Sequence, residues 1–371
     1  MLRRLISESA VSTKRIAVVG AGVNGVSIAT ACASLGHQVQ LFDESTPFDQ
    51  TSSASSRMLH GGIRYIEQGH IGLVREALIE RDGWLRFAPN ATRVERFYFP
   101  VYQESKRGRW LLFAGTLIYQ WLAGRFSVGP SQLHSSEDLK HVFPSLIPQG
   151  LCGGASYCDV VMEYEPLIQR LVDEARKQGV RIVENTRIER LYSEGRIDTA
   201  DQTLEFDRVI NAAGPWAAKL LEASDVDSGF TIDHVRGSHL IVQASFRHAL
   251  VLQAPGERRI IFVIPLDPEH VLLGTTEQKH DISDPIVCTD AESAYLLEIL
   301  NQHLSEPLAA SDIVSSFAGV RPIVRPRDTS PGDISSASRD SEIEISDRLI
   351  SVFGGKWTSA RHLGGKVAAL V

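Results

Sequence analysis

A chain of 371 residues with 43% hydrophobic and 22% charged residues has ordinary globular composition and is long enough for two or three domains. Its 38 Lys and Arg against 45 Asp and Glu leave a net charge of -7, which argues against a nucleic-acid partner, since that needs a basic face. The four cysteines (Cys32, Cys152, Cys158, Cys288) form no metal-ligand spacing, so no metal site is expected and they read as reduced thiols of an intracellular protein.

In chain order, MLRRLISESAVSTKR lacks the apolar core and small-residue cleavage site of a secretory signal, which points to a cytoplasmic protein. The stretch from Arg15 to Glu44 then organises everything after it. An apolar strand at Ile16–Val19 runs into Gly20, Gly22 and Gly25, a helix-compatible segment follows, and a second strand ends at Asp43-Glu44. This is the context the G-x-G-x-x-G dinucleotide fingerprint requires. Gly20 makes the tight turn, Gly22 lets the backbone approach a pyrophosphate, and Gly25 lets helix and strand lie close. The helix start presents free N–H groups to the phosphates. Asp43 comes 23 residues after Gly20, where a carboxylate accepts from a ribose. The fingerprint leaves FAD and NAD both open.

The segment TSSASSRMLHGG, Thr51–Gly62, is too bulky at Arg57, Met58, Leu59 and His60 for a linker, and its hydroxyls and N–H groups suit a phosphate or ring edge. Helical periodicity covers Ile71–Phe87, with its charges on a solvated face, and Arg93–Tyr102 reads as strand. Trp110–Leu122 reads as a buried or interface helix; it is too short to span a bilayer but is a candidate for peripheral contact with the inner face of a membrane. A helix at Glu163–Lys177 precedes strands at Val180–Val183, Arg187–Leu191 and Arg208–Ala212. The last runs into Ala213 and Gly214, small residues needed where something packs close to the backbone, here the cofactor. From Ile232 onward short strands (Val235–Val242, Ile260–Pro265, Val271–Thr275) suggest an antiparallel block, followed by a helix at Ala291–Leu304 and a final strand, Leu349–Val352, entering GGKWTSARHLGGKV.

Strands at 16–19, 39–42, 182–183, 209–212 and 349–352 are spread over the whole chain, which a nucleotide domain built from separated pieces explains, and which favours FAD over NAD. The expected division gives 1–90, 151–225 and 311–371 to that domain, and 91–150 and 226–310 to a substrate domain.

The fingerprint, TSSASSRMLHGGIRYIE, RGSHLIV, FVIPLDPEHVLLGTTE, AGVRPIV, SRD and GGKWTSAR stand in the order seen in flavin-dependent (aerobic) glycerol-3-phosphate dehydrogenases and oxidases. WLLFAGTLIYQWLAG and LHSSEDLKHVFPSL also resemble that family, so the likeness covers nearly the whole chain. It implies an α/β fold: a Rossmann-like FAD-binding domain of the glutathione-reductase/D-amino-acid-oxidase type, with an inserted, mostly antiparallel β-sheet plus helices as the substrate domain. It implies non-covalent FAD held by Gly20, Gly22, Asn24, Gly25, Asp43, Ala213 and Gly214. The flavin ring would lie among Ser52, Ser53, Arg57, His60 and the turn of Gly354, Gly355, Lys356, Trp357 and Thr358, and the helix opening at Lys356 would aim its N-terminus at flavin N1 and O2. Substrate residues by motif match are Arg64, Tyr65, His239, Arg321, Arg339 and Lys356.

The chemistry makes these residue types sensible. A phosphate monoester is close to a dianion and calls for several cations, and oxidising a secondary alcohol needs a hydride acceptor and a base, for which His239 is the choice, with Arg321 on the developing oxyanion. The expected reaction is oxidation of sn-glycerol 3-phosphate to dihydroxyacetone phosphate, with electrons passing to a quinone or to oxygen. The resemblance departs at Gln50, usually glycine, and at Ala54, usually basic; DVVMEYEPLIQRL is nearer the amine- and hydroxy-acid-oxidising flavoproteins, and the carboxy-terminal helical domain is missing. An amino acid, a 2-hydroxy acid or another phosphorylated polyol remains open as substrate, as does a flavin-binding protein without catalysis.

Overall fold

The computed structural model describes residues 12–254, 259–329 and 341–371. A six-stranded sheet runs in the order Ser341–Ser346, Leu349–Gly354, Arg208–Asn211, Arg15–Val19, Gln38–Phe42, Arg181–Val183. Its pairs are parallel except the first, which is antiparallel. All five separated strands expected from the sequence lie in this sheet. Their β-branched runs are buried on both faces: Ile16 and Val18 pack under the Val23–Ser34 and Ala360–Ala368 helices, Ala17 and Val19 against Leu191, Ile197 and Phe206. The last three residues belong to or adjoin a small antiparallel sheet of Ile188–Tyr192, Arg196–Thr199 and Thr203–Glu205, which covers the second face.

The second sheet is larger and mostly antiparallel. Its main path joins Gln278–Lys279, Phe230–Gln243, His270–Gly274, Ile260–Pro265, Ala249–Gln253, Thr92–Tyr102, Leu151–Met162 and Met58–Leu59. The Ile313–Pro326 strand pairs along the outer side of Phe230–Gln243, with Val235 opposite Arg321 and His239 opposite Phe317. Leu151–Met162 and Ile313–Pro326 are strands that the pattern reading passes over. Gly153 and Gly154 interrupt the first; Gly154 is required because a Cβ there would sit 2.1 Å from the Phe99 carbonyl oxygen across the pair. Pro322 and Pro326 disguise the second, and proline is tolerated because this strand lies at a sheet edge. Both hydrogen-bond into the larger sheet, whereas the expected division had grouped 151–162 and 313–326 with the nucleotide-binding pieces.

Candidate active site

Gly20 adopts φ +99, the left-handed conformation a tight turn needs. A Cβ on Gly25 would lie 1.7 Å from the Gly20 carbonyl oxygen, so the helix can rest on the turn only with glycine there. Gly22 caps the Val23–Ser34 helix with no side chain of its own, and the Val23 N–H donates instead to Ser52 Oγ at 3.0 Å. Asp43 accepts from the Ala21 N–H at 2.6 Å and from the Ser45 N–H at 2.9 Å. The carboxylate thus closes the glycine turn, and Asp43 also lines the cleft beside it.

That cleft, about 590 Å³, is lined by Gly20, Gly22, Asn24, Asp43, Ser52, Ala213, Gly214, Gly354, Gly355, Lys356 and Trp357 among others. Of the expected cofactor residues, Gly25, Ser53, Arg57, His60 and Thr358 stand outside its lining. Gly25 lies behind the turn, and Ser53 Oγ donates to the Gln50 carbonyl at 2.7 Å within its own loop. Thr358 Oγ1 accepts from the His60 N–H at 3.1 Å, and Trp357 Nε1 donates to the Ser52 carbonyl at 3.0 Å. The 51–62 loop and the 354–358 turn are therefore laced together. The helix expected to open at Lys356 begins only at Ala360, after a turn at 357–359 whose Trp357 and Thr358 make these bonds.

A second cluster gathers beside this loop. His239 is buried, its Nε2 lies 2.8 Å from Ser56 Oγ, and its ring stacks on Phe317 with centroids 5.0 Å apart. Burial first, then the Arg321 and Arg57 charges, push its pKa from 6.5 down to about 3, so the imidazole is neutral. Among the described residues its Nδ1 has no hydrogen-bond partner. Arg321 donates to Thr275 Oγ1 at 3.0 Å and pairs with Glu277 at 3.6 Å. Gly237 makes room for that guanidinium, since a Cβ there would be 2.5 Å from Arg321 Nη2. Arg64 and Tyr65 sit on the short Arg64–Glu67 helix, and Lys356 Nζ lies 4.5 Å from the Tyr65 ring centre. Arg339 falls outside the described residues. The pattern reading missed Ser56, Thr275 and Glu277; the hydroxyl-rich TSSASS and the polar TTE after a glycine were the only signals.

A family model described as FAD dependent oxidoreductase matches residues 15–370. The chain belongs to that family. It is 35% identical to a glycerol-3-phosphate dehydrogenase of Pseudomonas aeruginosa, over 94% of this chain and 69% of that protein. It is 30% identical to a D-erythritol 1-phosphate dehydrogenase of Brucella abortus, over 93% of this chain and 71% of that one. A glycerol-3-phosphate dehydrogenase from Bacillus halodurans, solved in complex with FAD, shares the fold with a TM-score of 0.75 and 23% identity, over 98% of this chain and 65% of its own. The chain therefore spans about two thirds of the length of these proteins.

The FAD-dependent oxidoreductase fold and this cleft suit each other. The cleft is lined by the glycine turn and the start of the Val23–Ser34 helix, whose dipole suits a diphosphate, and by Asp43, which suits a ribose. Asn24 Oδ1 is buried at its wall without a hydrogen-bond partner among the described residues, a polar atom that a ligand would satisfy. Bound FAD supplies a two-electron acceptor; the protein supplies binding, orientation and charge. Among the described residues no His, Cys, Asp and Glu group could hold a metal, and no helix is long and apolar enough to cross a membrane.

Proposed function

We propose that this oxidoreductase converts sn-glycerol 3-phosphate to dihydroxyacetone phosphate, removing the C2 hydrogen as hydride to flavin N5 and the hydroxyl proton to His239. The observation that carries the reading is the juxtaposition of a neutral, buried His239 with the Arg57 and Arg321 charges. An imidazole depressed this far has little driving force to take a proton from an alcohol. An anionic substrate offsets the Arg321 and Arg57 charges but not the burial, which is the larger cause, so it raises the basicity only in part. Arg64 and Lys356 hold the phosphate, and Arg321 holds the developing oxyanion. A longer phosphorylated polyol is the second reading, because the relative named for D-erythritol 1-phosphate is nearly as similar as those named for glycerol 3-phosphate.

The test is anaerobic reduction of the bound flavin, followed as loss of its visible absorption. Glycerol 3-phosphate is expected to bleach it, and amino acids and 2-hydroxy acids to leave it oxidised. Bleaching by erythritol phosphate at much lower concentration would favour the second reading, and bleaching by an amino or hydroxy acid alone would overturn both. Electrons leave to a quinone or to oxygen, which reoxidation of the bleached protein by each distinguishes.

We also propose that the Arg109–Ala123 helix rests on an anionic membrane surface. Trp110, Leu111, Leu117, Ile118 and Trp121 of this helix are all exposed, Trp121 by 77%. Arg109 and Arg125 flank this apolar face, a complement to anionic headgroups. Sedimentation with phosphatidylglycerol vesicles should fall on the order of tenfold when Trp110 and Trp121 are both replaced by serine. Equal sedimentation of that variant and the parent protein would remove the proposal.

A further inference from the structure

The Arg64–Glu67 helix has only four residues, none of them buried, and lies between Gly62 at φ +74 and Gly69 at φ +77. A single turn of this length does not hold its own shape in water. Ile63, Tyr65 and Ile66 pack against the core, and polar ties at both ends add to that hold.

Two ties come from the Arg109–Ala123 helix and the turn before it. At the near end the Gly61 N–H donates to Tyr119 Oη at 2.7 Å. The Tyr119 hydroxyl donates in turn to Asp159 Oδ2 at 2.7 Å, and Arg81 donates to Asp159 Oδ1 at 3.1 Å. Tyr119, Asp159 and Arg81 are each at most 2% exposed, so this end is set in the core. At the far end Arg107 makes a forked pair with Glu67, Nε to Oε1 at 2.6 Å and Nη2 to Oε2 at 2.9 Å. The arginine is itself anchored. Its backbone N–H donates to Gln253 Oε1 at 3.1 Å and its carbonyl accepts from Gln253 Nε2 at 3.2 Å, with Gln253 buried.

We infer that Arg107 is a positioning residue for the substrate segment: through Glu67 it holds the Arg64–Glu67 helix at one end while Tyr119 holds Gly61 at the other. An exposed ion pair is usually worth little. This one is forked, and its arginine side chain is only 14% exposed and starts from a pinned backbone, so it transmits direction. The inference rests on the proposed reading of Arg64 and Tyr65 as substrate residues, and what it adds is a residue outside the site motifs.

The experiment is anaerobic stopped-flow reduction by glycerol 3-phosphate, paired with hydrogen exchange of the 60–70 segment. Arg107→Ala is expected to raise the half-saturating concentration on the order of tenfold while the limiting rate changes by less than about threefold. Arg107→Lys, which keeps charge without the fork, falls between the two. Combining Arg107→Glu with Glu67→Arg should restore half-saturation toward the parent value and slow the exchange that either single reversal speeds. A half-saturating concentration and an exchange rate in Arg107→Ala equal to the parent's would overturn the inference, as would a double reversal no better than the singles. If glycerol 3-phosphate fails to bleach the parent protein, the substrate reading falls, and the exchange rates alone decide whether the tie exists.

Discussion

Alanine in place of Gly25 is expected to destabilise the protein by roughly 3 kcal/mol or more, a large share of the about 5–15 kcal/mol that keeps a domain folded. The added methyl would meet the Gly20 carbonyl at 1.7 Å. Both partners are backbone, so neither can turn aside as a flexible side chain would. Either the Val23–Ser34 helix lifts from the sheet or the glycine turn opens, and each loses the diphosphate cradle with the packing. Flavin content of the purified variant and its thermal unfolding measure this directly. The matched control is Gly83→Ala. Gly83 lies in the Ile71–Phe87 helix with nothing within 4 Å of its would-be Cβ, so alanine there should stabilise by roughly 0.5–1 kcal/mol. A Gly25→Ala protein that binds FAD and melts with the parent would show that the turn and helix are not in close contact.

The second large effect is on chemistry. Arg321→Ala is expected to keep FAD, because Arg321 lies outside the cleft lining, and to slow substrate reduction on the order of a hundredfold or more. The same change carries a pH signature with a definite sign. Burial is the main cause that holds His239 near 3, and the Arg321 charge is the next. Removing that charge raises the His239 pKa, so the acid limb of the reduction rate moves to higher pH than in the parent. In the parent, a base already neutral well below pH 5 leaves the rate without a limb near 6.5 from this residue. A parental limb near 6.5 that vanishes in His239→Gln would mean that this imidazole titrates as if exposed. Unchanged turnover in Arg321→Ala would move Arg321 out of the site.

Local pattern carries some of this molecule and contact across the fold carries the rest. The five dispersed parallel strands were legible because buried parallel strands read as continuous apolar runs bounded by glycine and small residues. The Leu151–Met162 and Ile313–Pro326 strands were not, since their glycines and prolines answer to partners distant in sequence: Phe99 across one pair, an open sheet edge beside the other. The Arg109–Ala123 helix was visible as a helix. That its tryptophans face outward while Tyr119 faces Gly61 follows only from which side meets the large sheet.

The same boundary runs through the site. Residue type and spacing alone determined the glycine turn, the acid at the end of the second strand and therefore a dinucleotide ligand, because the strand, glycine turn, helix, strand and acid follow one another within about thirty residues. The sequence also contained His239, Arg321 and Lys356, but without distances they were only candidates. The tertiary structure decided that His239 is buried against Phe317 and Ser56, that this burial first, with Arg321 and Arg57 after it, depresses its pKa, and that the 354–358 turn is laced to the 51–62 loop. Burial and charge proximity are properties of residues brought together from far along the chain, and no local pattern encodes them.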